Sequence, residues 1–253
     1  MQDPRRQGSR TQERQRADLL LVEQGLFESR ARAQAAIDAG LVWADGTQVR
    51  KSSDLISRGA SLQASPAHRW VSRGGVKLAG ALEHYPIEIT GHICLDVGAS
   101  TGGFTDVLLA HSARLVYAVD VGHDQLHPSL RSHPTVRSLE NTDIRIMTAA
   151  DFPDKPDVVV IDASFISLKH ILPAALTLAS KRMSLLALIK PQFEADRRHS
   201  KKGIIRDPDV QDAVCRDIAD FVGSLGCQSI AVFPSSITGG DGNQEFFIGA
   251  RRD

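Results

Sequence analysis

Four charged residues stand where an α/β protein usually does its chemistry. Asp162 ends the apolar run 158–161, Lys190 ends the run 185–189, and Glu245 opens the last apolar stretch after the glycine-rich loop 239–243. In an open α/β sheet the ligand sits beyond the carboxyl ends of the strands, so polar residues there carry weight. Lys77, on an amphipathic stretch with Val76, Leu78 and Leu82, is placed to reach the same rim. Two cations and two carboxylates suit removal of a proton from a weakly acidic group such as a ribose 2′-hydroxyl. A lysine whose pKa is lowered by burial and by a second cation can take that proton. Lys190 is the candidate base, Lys77 the second charge and phosphate contact, and Asp162 and Glu245 the groups that orient the lysines. Taken singly, each of these residues is more often plain surface charge.

A ligand loop accompanies the set. The stretch 93–104 joins an apolar strand to a helix through Asp96, Gly98, Ser100, Gly102, Gly103 and Phe104. Glycines let backbone approach a nucleoside closely, and Asp120, about 20 residues on, is placed to accept hydrogen bonds from ribose hydroxyls. A dinucleotide site would read G-x-G-x-x-G with a helix aimed at pyrophosphate. This loop instead carries an acidic residue at its start, which suits S-adenosylmethionine, a donor with an ammonium, a sulfonium and no phosphate. A tight turn in a structural α/β domain remains the plain alternative, because many functions share such folds. Methylation of a base nitrogen would ask for Asn or Asp followed by Pro-Pro and an aromatic residue. The corresponding strand end here is Asp162-Ala163-Ser164-Phe165.

The elements that must position these residues follow from hydrophobic pattern. Strands are predicted over 93–97, 115–121, 135–139, 158–162, 185–190, 229–233 and 245–250, alternating with helices, which is the pattern of a doubly wound α/β domain. Asp207-Pro208 opens a helix whose stripe Val210, Val214, Ile218 and Phe221 is core, and Gly226 closes it. Ahead of this domain, residues 17–64 form a small α+β unit. Leu19, Leu20, Val22 and Leu26 give a first helical face, Ser29 caps a second helix over 30–39, and Asp45-Gly46 turns a hairpin. Residues 65–76 form a linker in which Trp70 anchors to one domain, and the Arg-rich segment 1–16 is too polar to fold alone.

Composition limits the partners. The chain has 253 residues, with 30 basic and 30 acidic side chains, but 13 basic against 8 acidic fall in the part through Lys77. A polyanion is therefore expected at the front. The three cysteines, Cys94, Cys215 and Cys227, occur singly, which argues against zinc and a disulfide framework and for a reducing cytoplasm. No apolar run approaches the roughly 20 residues that span a bilayer, so a soluble protein without a membrane partner is expected.

Two resemblances sharpen this reading. Ser29 through Val42, followed by Asp45-Gly46 and Val49, resembles the S4 RNA-binding domain, which places Arg30, Arg32 and Gln34 at RNA-facing positions. Almost the whole of 17–250 is similar to the TlyA family of ribosomal RNA 2′-O-methyltransferases, in which an S4 domain precedes an FtsJ-like domain. The matching runs are Ser72 to Leu78, Leu95 to Thr105, Asp162 to Ser167, Leu188 to Glu194 and Gly242 to Phe246. The resemblance implies a Rossmann-like methyltransferase fold over 77–253 with an antiparallel last strand. It also implies S-adenosylmethionine as cofactor, ribosomal RNA or ribosomal subunits as partner, and a cytidine ribose as acceptor. Lys77, Asp162, Lys190 and Glu245 then form the catalytic set. The cofactor's methionine part falls to Asp96 and the loop from Gly98 to Phe104, its ribose to Asp120, and its adenine to Asn141, Thr142 and Asp143. Arg73 and the basic loop with Lys201, Lys202 and Arg206 join the RNA contacts. Where some members have Arg-x-Trp-Val, this chain has His68-Arg69-Trp70-Val71. The competing functions are RNA binding without catalysis and membrane lysis, the latter from a haemolysin label that the family has also carried.

Overall fold

A computed structural model describes residues 13–200 and 203–253. The chain divides into two compact units with the boundary between Arg69 and Trp70. The expected linker is thus split, and Trp70 is buried among Leu78, Phe104 and Leu126 of the second unit.

In the front unit, β1 (Arg14–Arg16) leads into α1 (Ala17–Glu23), α2 (Arg30–Asp38), β2 (Val42–Ala44), β3 (Thr47–Gln48), β4 (Leu55–Ser57) and β5 (Leu62–Ala64). β1 corrects the expectation of a disordered tail as far as residue 16: Arg14, Gln15 and Arg16 pair antiparallel with Ser57, Ile56 and Leu55. The remainder of that tail, 1–12, lies outside the described residues. The Ser29 hydroxyl accepts the Arg32 N–H and caps α2, as its residue type predicts. Asp45 and Gly46 both have positive φ, 50° and 76°, the conformation a two-residue hairpin turn requires. Ala17, Leu21, Phe27, Ala36, Ile37 and Val42 close the core.

The second unit starts with α3 (Arg73–His84) and continues through β6 (Ile93–Val97), α4 (Gly103–Ala110), β7 (Leu115–Val119), the single turn α5 (Pro128–Arg131) and β8 (Val136–Leu139). It resumes with β9 (Val158–Ile161), α6 (Leu168–Leu178), β10 (Met183–Ile189), α7 (Pro191–Glu194), α8 (Pro208–Ser224), β11 (Gln228–Pro234) and β12 (Phe246–Arg252). The seven strands lie in the order β11-β12-β10-β9-β6-β7-β8. β12 runs antiparallel to both neighbours, while the ladders from β10 through β8 are parallel. The near-continuous apolar strands β6, β9 and β10 are buried on both faces, with separate cores beneath the two helical layers. From β6 the chain winds outward through β7 and β8, then returns to β9 on the other side. That reversal opens a crevice at the carboxyl ends of β6 and β9.

Candidate active site

The crevice holds a cavity of about 530 Å³, lined by the ends of β6, β7 and β9 and by residues 142–145. Its size suits a nucleoside-sized ligand. Gly98 turns the chain out of β6 with φ of +84°, and a Cβ there would fall 2.6 Å from the Asp162 carbonyl oxygen, so only glycine lets the ends of β6 and β9 come this close. Ser100 follows with its N–H donating to Asp120 Oδ2 at 2.7 Å, and the Gly122 N–H donates to Asp120 Oδ1 at 2.7 Å. The Asp120 carboxylate is thereby fixed at the cavity wall beside Val121, Ile144 and Gln125.

Of the expected cofactor residues, Gly98, Ser100, Asp120, Thr142 and Asp143 line the cavity, and Asp96, Gly102, Gly103, Phe104 and Asn141 do not. Asp96 is wholly buried and accepts the Thr105 hydroxyl at 2.7 Å. Burial, reinforced by the charge of Asp162, pushes its carboxyl up to about 7. Gly102 has φ of +98° and packs against Leu126 and Leu130, while Gly103 lets the start of α4 press on Ser72 and the Gly75 N–H. Phe104 is core, its ring 6.1 Å from that of Phe247. Asn141 holds the loop from the rear, its backbone N–H donating to the Gly122 carbonyl. These five build the cradle; they do not face its contents. Asp143 reaches the cavity, but Arg145 binds its carboxylate at 2.6 Å and holds it below the usual carboxylate range.

The four expected catalytic side chains form two ion pairs, one of which reaches the cavity through Asp162. Lys190 Nζ lies 2.6 Å from Asp162 Oδ1 and donates to Ser164 Oγ at 2.8 Å. Lys77 Nζ lies 2.6 Å from Glu245 Oε2. Lys77, Lys190 and Glu245 are all buried. Burial raises the Glu245 carboxyl, opposed by Lys77 and Lys190 and assisted by Asp162, so the two pairs share one electrostatic neighbourhood. Asp162 and Ser164 also line the cavity. Such a site can hold a proton, a phosphate or both.

The expected RNA contacts fare less evenly. In the front unit, Arg30 Nη2 and Gln34 Nε2 each lie 2.9 Å from Oδ2 of the buried Asp18, which Arg16 also binds. Arg30 remains 54% exposed, yet its head group is committed to the fold. Arg32 is partly exposed. In the second unit the Arg73 guanidinium donates to the Thr238 carbonyl at 2.7 Å, bracing the loop that leads to Glu245. Arg206 is exposed, and Lys201 and Lys202 lie outside the described residues.

Sequence reasoning passed over Asp18, Ser164, Arg145 and Phe165 as site-forming residues. Phe165 is 89% exposed with φ of +65°, lines the cavity, and sits 5.1 Å from the ring of Phe193. An aromatic residue three positions after a strand-end acid was the available signal. Asp18 had none, because a buried carboxylate beside Ala17 and Leu20 looks like any helix-start acid.

Comparison with known proteins follows the same division. The FtsJ-like methyltransferase family matches residues 70–252, and the S4 domain matches 15–62. YqxC of Bacillus subtilis, described as a candidate rRNA methyltransferase, is 44% identical over 94% of this chain and 86% of its own length. The 16S/23S rRNA (cytidine-2′-O)-methyltransferase TlyA of Mycobacterium tuberculosis is 41% identical, covering 94% of this chain and 90% of its own. A solved structure from Streptococcus thermophilus, described as a candidate hemolysin, superposes with a TM-score of 0.76 at 39% identity, covering 96% of this chain and 90% of that one.

Proposed function

The chain belongs to the TlyA family, in which an S4 domain precedes an FtsJ-like methyltransferase domain, and on that premise we propose that it transfers a methyl group from S-adenosylmethionine to a ribose 2′-hydroxyl, on cytidine, in ribosomal RNA. The observation that carries this reading is the pair of buried lysine–carboxylate contacts, Lys190 with Asp162 and Lys77 with Glu245, the first of which reaches a nucleoside-sized cavity through Asp162.

The residues present fit the cofactor. Asp120 is held by two backbone N–H groups with lone pairs left for ribose hydroxyls, Val121 and Ile144 offer apolar faces to an adenine, and Gly98 leaves the floor open. When bound, S-adenosylmethionine supplies a methyl group activated by its sulfonium. Lys190, as the neutral amine after loss of its proton to solvent, takes the proton from the attacking 2′-oxygen, and Asp162 and Ser164 hold the ammonium that forms. Lys77 adds positive charge for the neighbouring phosphate, and Glu245 holds it in place. The exposed ring of Phe165 offers a stacking face to the base of the target nucleotide. RNA is captured by the S4 domain, with the partly exposed Arg32 in the front unit and the exposed Arg206 in the second as cations.

Transfer of labelled methyl to purified ribosomal subunits and their free RNAs, followed by nucleoside analysis, tests the proposal. A 2′-O-methylated cytidine formed by the wild type and absent with Lys190→Ala, which should bind RNA nearly normally, is the expected result. RNA binding with no transfer to any of these substrates would leave a non-catalytic binding protein instead. Membrane lysis finds no support in spanning segments: among the described residues no helix is long and apolar enough to cross a membrane.

A further inference from the structure

Asp162 and Lys190 directly follow the neighbouring strands β9 and β10, yet the backbone ladder does not hold them together. The β9–β10 pairing runs from Ser184 with Val158 to Ala187 with Ile161 and stops there. Beyond it, the segments 162–167 and 190–194 run side by side without a ladder. Three side-chain contacts join them. Lys190 meets Asp162 and Ser164 at the near end, the rings of Phe193 and Phe165 meet in the middle, and Glu194 closes the far end.

The far contact is the most constrained. Glu194 Oε2 accepts the Ser167 hydroxyl at 2.5 Å, and Oε1 accepts the Leu168 N–H at 2.8 Å. Ser167 is the N-cap of the eleven-residue helix α6 and accepts the Lys169 N–H, so Glu194 takes up a donor that the cap leaves over and sets a negative charge at a helix N-terminus. Burial pushes the Glu194 carboxyl up from its ordinary range. A surface cap would avoid that cost. Its own element, α7, is a single turn of four residues beginning at Pro191, too short to hold its orientation by helical hydrogen bonding.

We infer that Glu194 is a positioning residue for methyl transfer: by fastening α7 to the start of α6 it keeps Lys190, at the other end of the same turn, on Asp162 and at the cavity edge. The inference rests on the proposed role of Lys190 and adds a residue that touches neither cofactor nor RNA. Released from α6, α7 pivots on Pro191 and Lys190 leaves its partner. A misplacement of about 1 Å in a reacting group can lower a rate by about 100-fold.

The test uses the full chain with ribosomal subunits and S-adenosylmethionine. Glu194→Ala should lower kcat about 10- to 100-fold, with KM for both substrates within about twofold of wild type, because no binding group is lost. Glu194→Gln should restore most of kcat, since its amide oxygen accepts the Leu168 N–H and its amide nitrogen donates to Ser167. Melting curves and circular dichroism report the folded fraction of each variant. Should Glu194→Ala fail to fold, Ser167→Ala removes one of the two Glu194 contacts together with the α6 cap, leaves the Leu168 N–H on Glu194, and should give a smaller fall in kcat with the same KM pattern once corrected for the folded fraction. Wild-type kcat in the folded Glu194→Ala or Ser167→Ala variant, a loss that tracks only the unfolded fraction, or a loss expressed in KM would overturn the inference. Lys190→Ala measured in parallel separates the two levels. Its full activity would remove the reading beneath, whereas an inactive Lys190→Ala beside a fully active Glu194→Ala removes this inference alone.

Discussion

Lys190 Nζ and Asp162 Oδ1 lie 2.6 Å apart and tie together the ends of two adjacent parallel strands at the point where the sheet opens its crevice. Removing the charge from one partner leaves the other buried and uncompensated, which costs about 3 kcal/mol. Asp162→Asn should therefore lower the unfolding midpoint in urea and reduce kcat together. An unchanged midpoint would mean that Lys190 finds an equivalent partner and that the pair is dispensable to the fold.

Phe165 presents its ring to solvent at the cavity edge, supported by Phe193. If it carries the target base, Phe165→Ala removes a stacking interaction of about 1–3 kcal/mol. Turnover on RNA should then fall roughly tenfold or more, while S-adenosylmethionine binding by calorimetry stays at wild-type strength. Equal loss in cofactor affinity would assign the ring to the cofactor.

In the front unit Asp18 is fully buried, and hydrogen bonds from Arg16, Gln34 and Arg30 hold its carboxyl well below the usual carboxylate range. A depressed folded-state pKa contributes stability above the unfolded value of about 4, and this is lost as pH falls through the lower folded value. Asp18→Asn should cost about 2 kcal/mol at pH 7. It should also flatten the acid limb of an unfolding curve followed by Trp43 fluorescence after Trp70 is replaced by Phe. A variant with the wild-type acid limb would show that other carboxylates govern it.

Asp96 has the opposite sign. Burial first, and the charge of Asp162 after it, raise its carboxyl to about 7. The folded chain thus keeps a proton that the unfolded chain releases near pH 4. Stability should fall as pH rises through the window from about 4 to 7, and Asp96→Asn should lose that part of the slope. The measurement is the thermal midpoint at pH 5 and pH 8 for both proteins, and identical slopes would rule Asp96 out as their source.

Local pattern by itself determined much of this protein. The apolar runs at 93–97, 158–161 and 185–189 became β6, β9 and most of β10, Ser29 and Asp207 cap their helices, and Asp45-Gly46 turns its hairpin. Such elements are written in the period of side chains along a segment and in the φ that a residue tolerates, both properties of neighbouring residues. Strand-end position singled out Asp162, Lys190 and Glu245, with Lys77 on the amphipathic stretch nearby, and the resemblance grouped them as one set, whose pairing the geometry then displayed. Only the tertiary structure decided that Asp96 and Gly103 lie behind the cavity and that Arg30 and Gln34 are drawn to Asp18. It also decided that Phe165 stands exposed and that Glu194 closes the end of α6. Each of these depends on a partner remote in sequence. A carboxylate or arginine has the same local signature whether it faces water or a buried counter-charge, and burial and pairing arise only when separate elements pack.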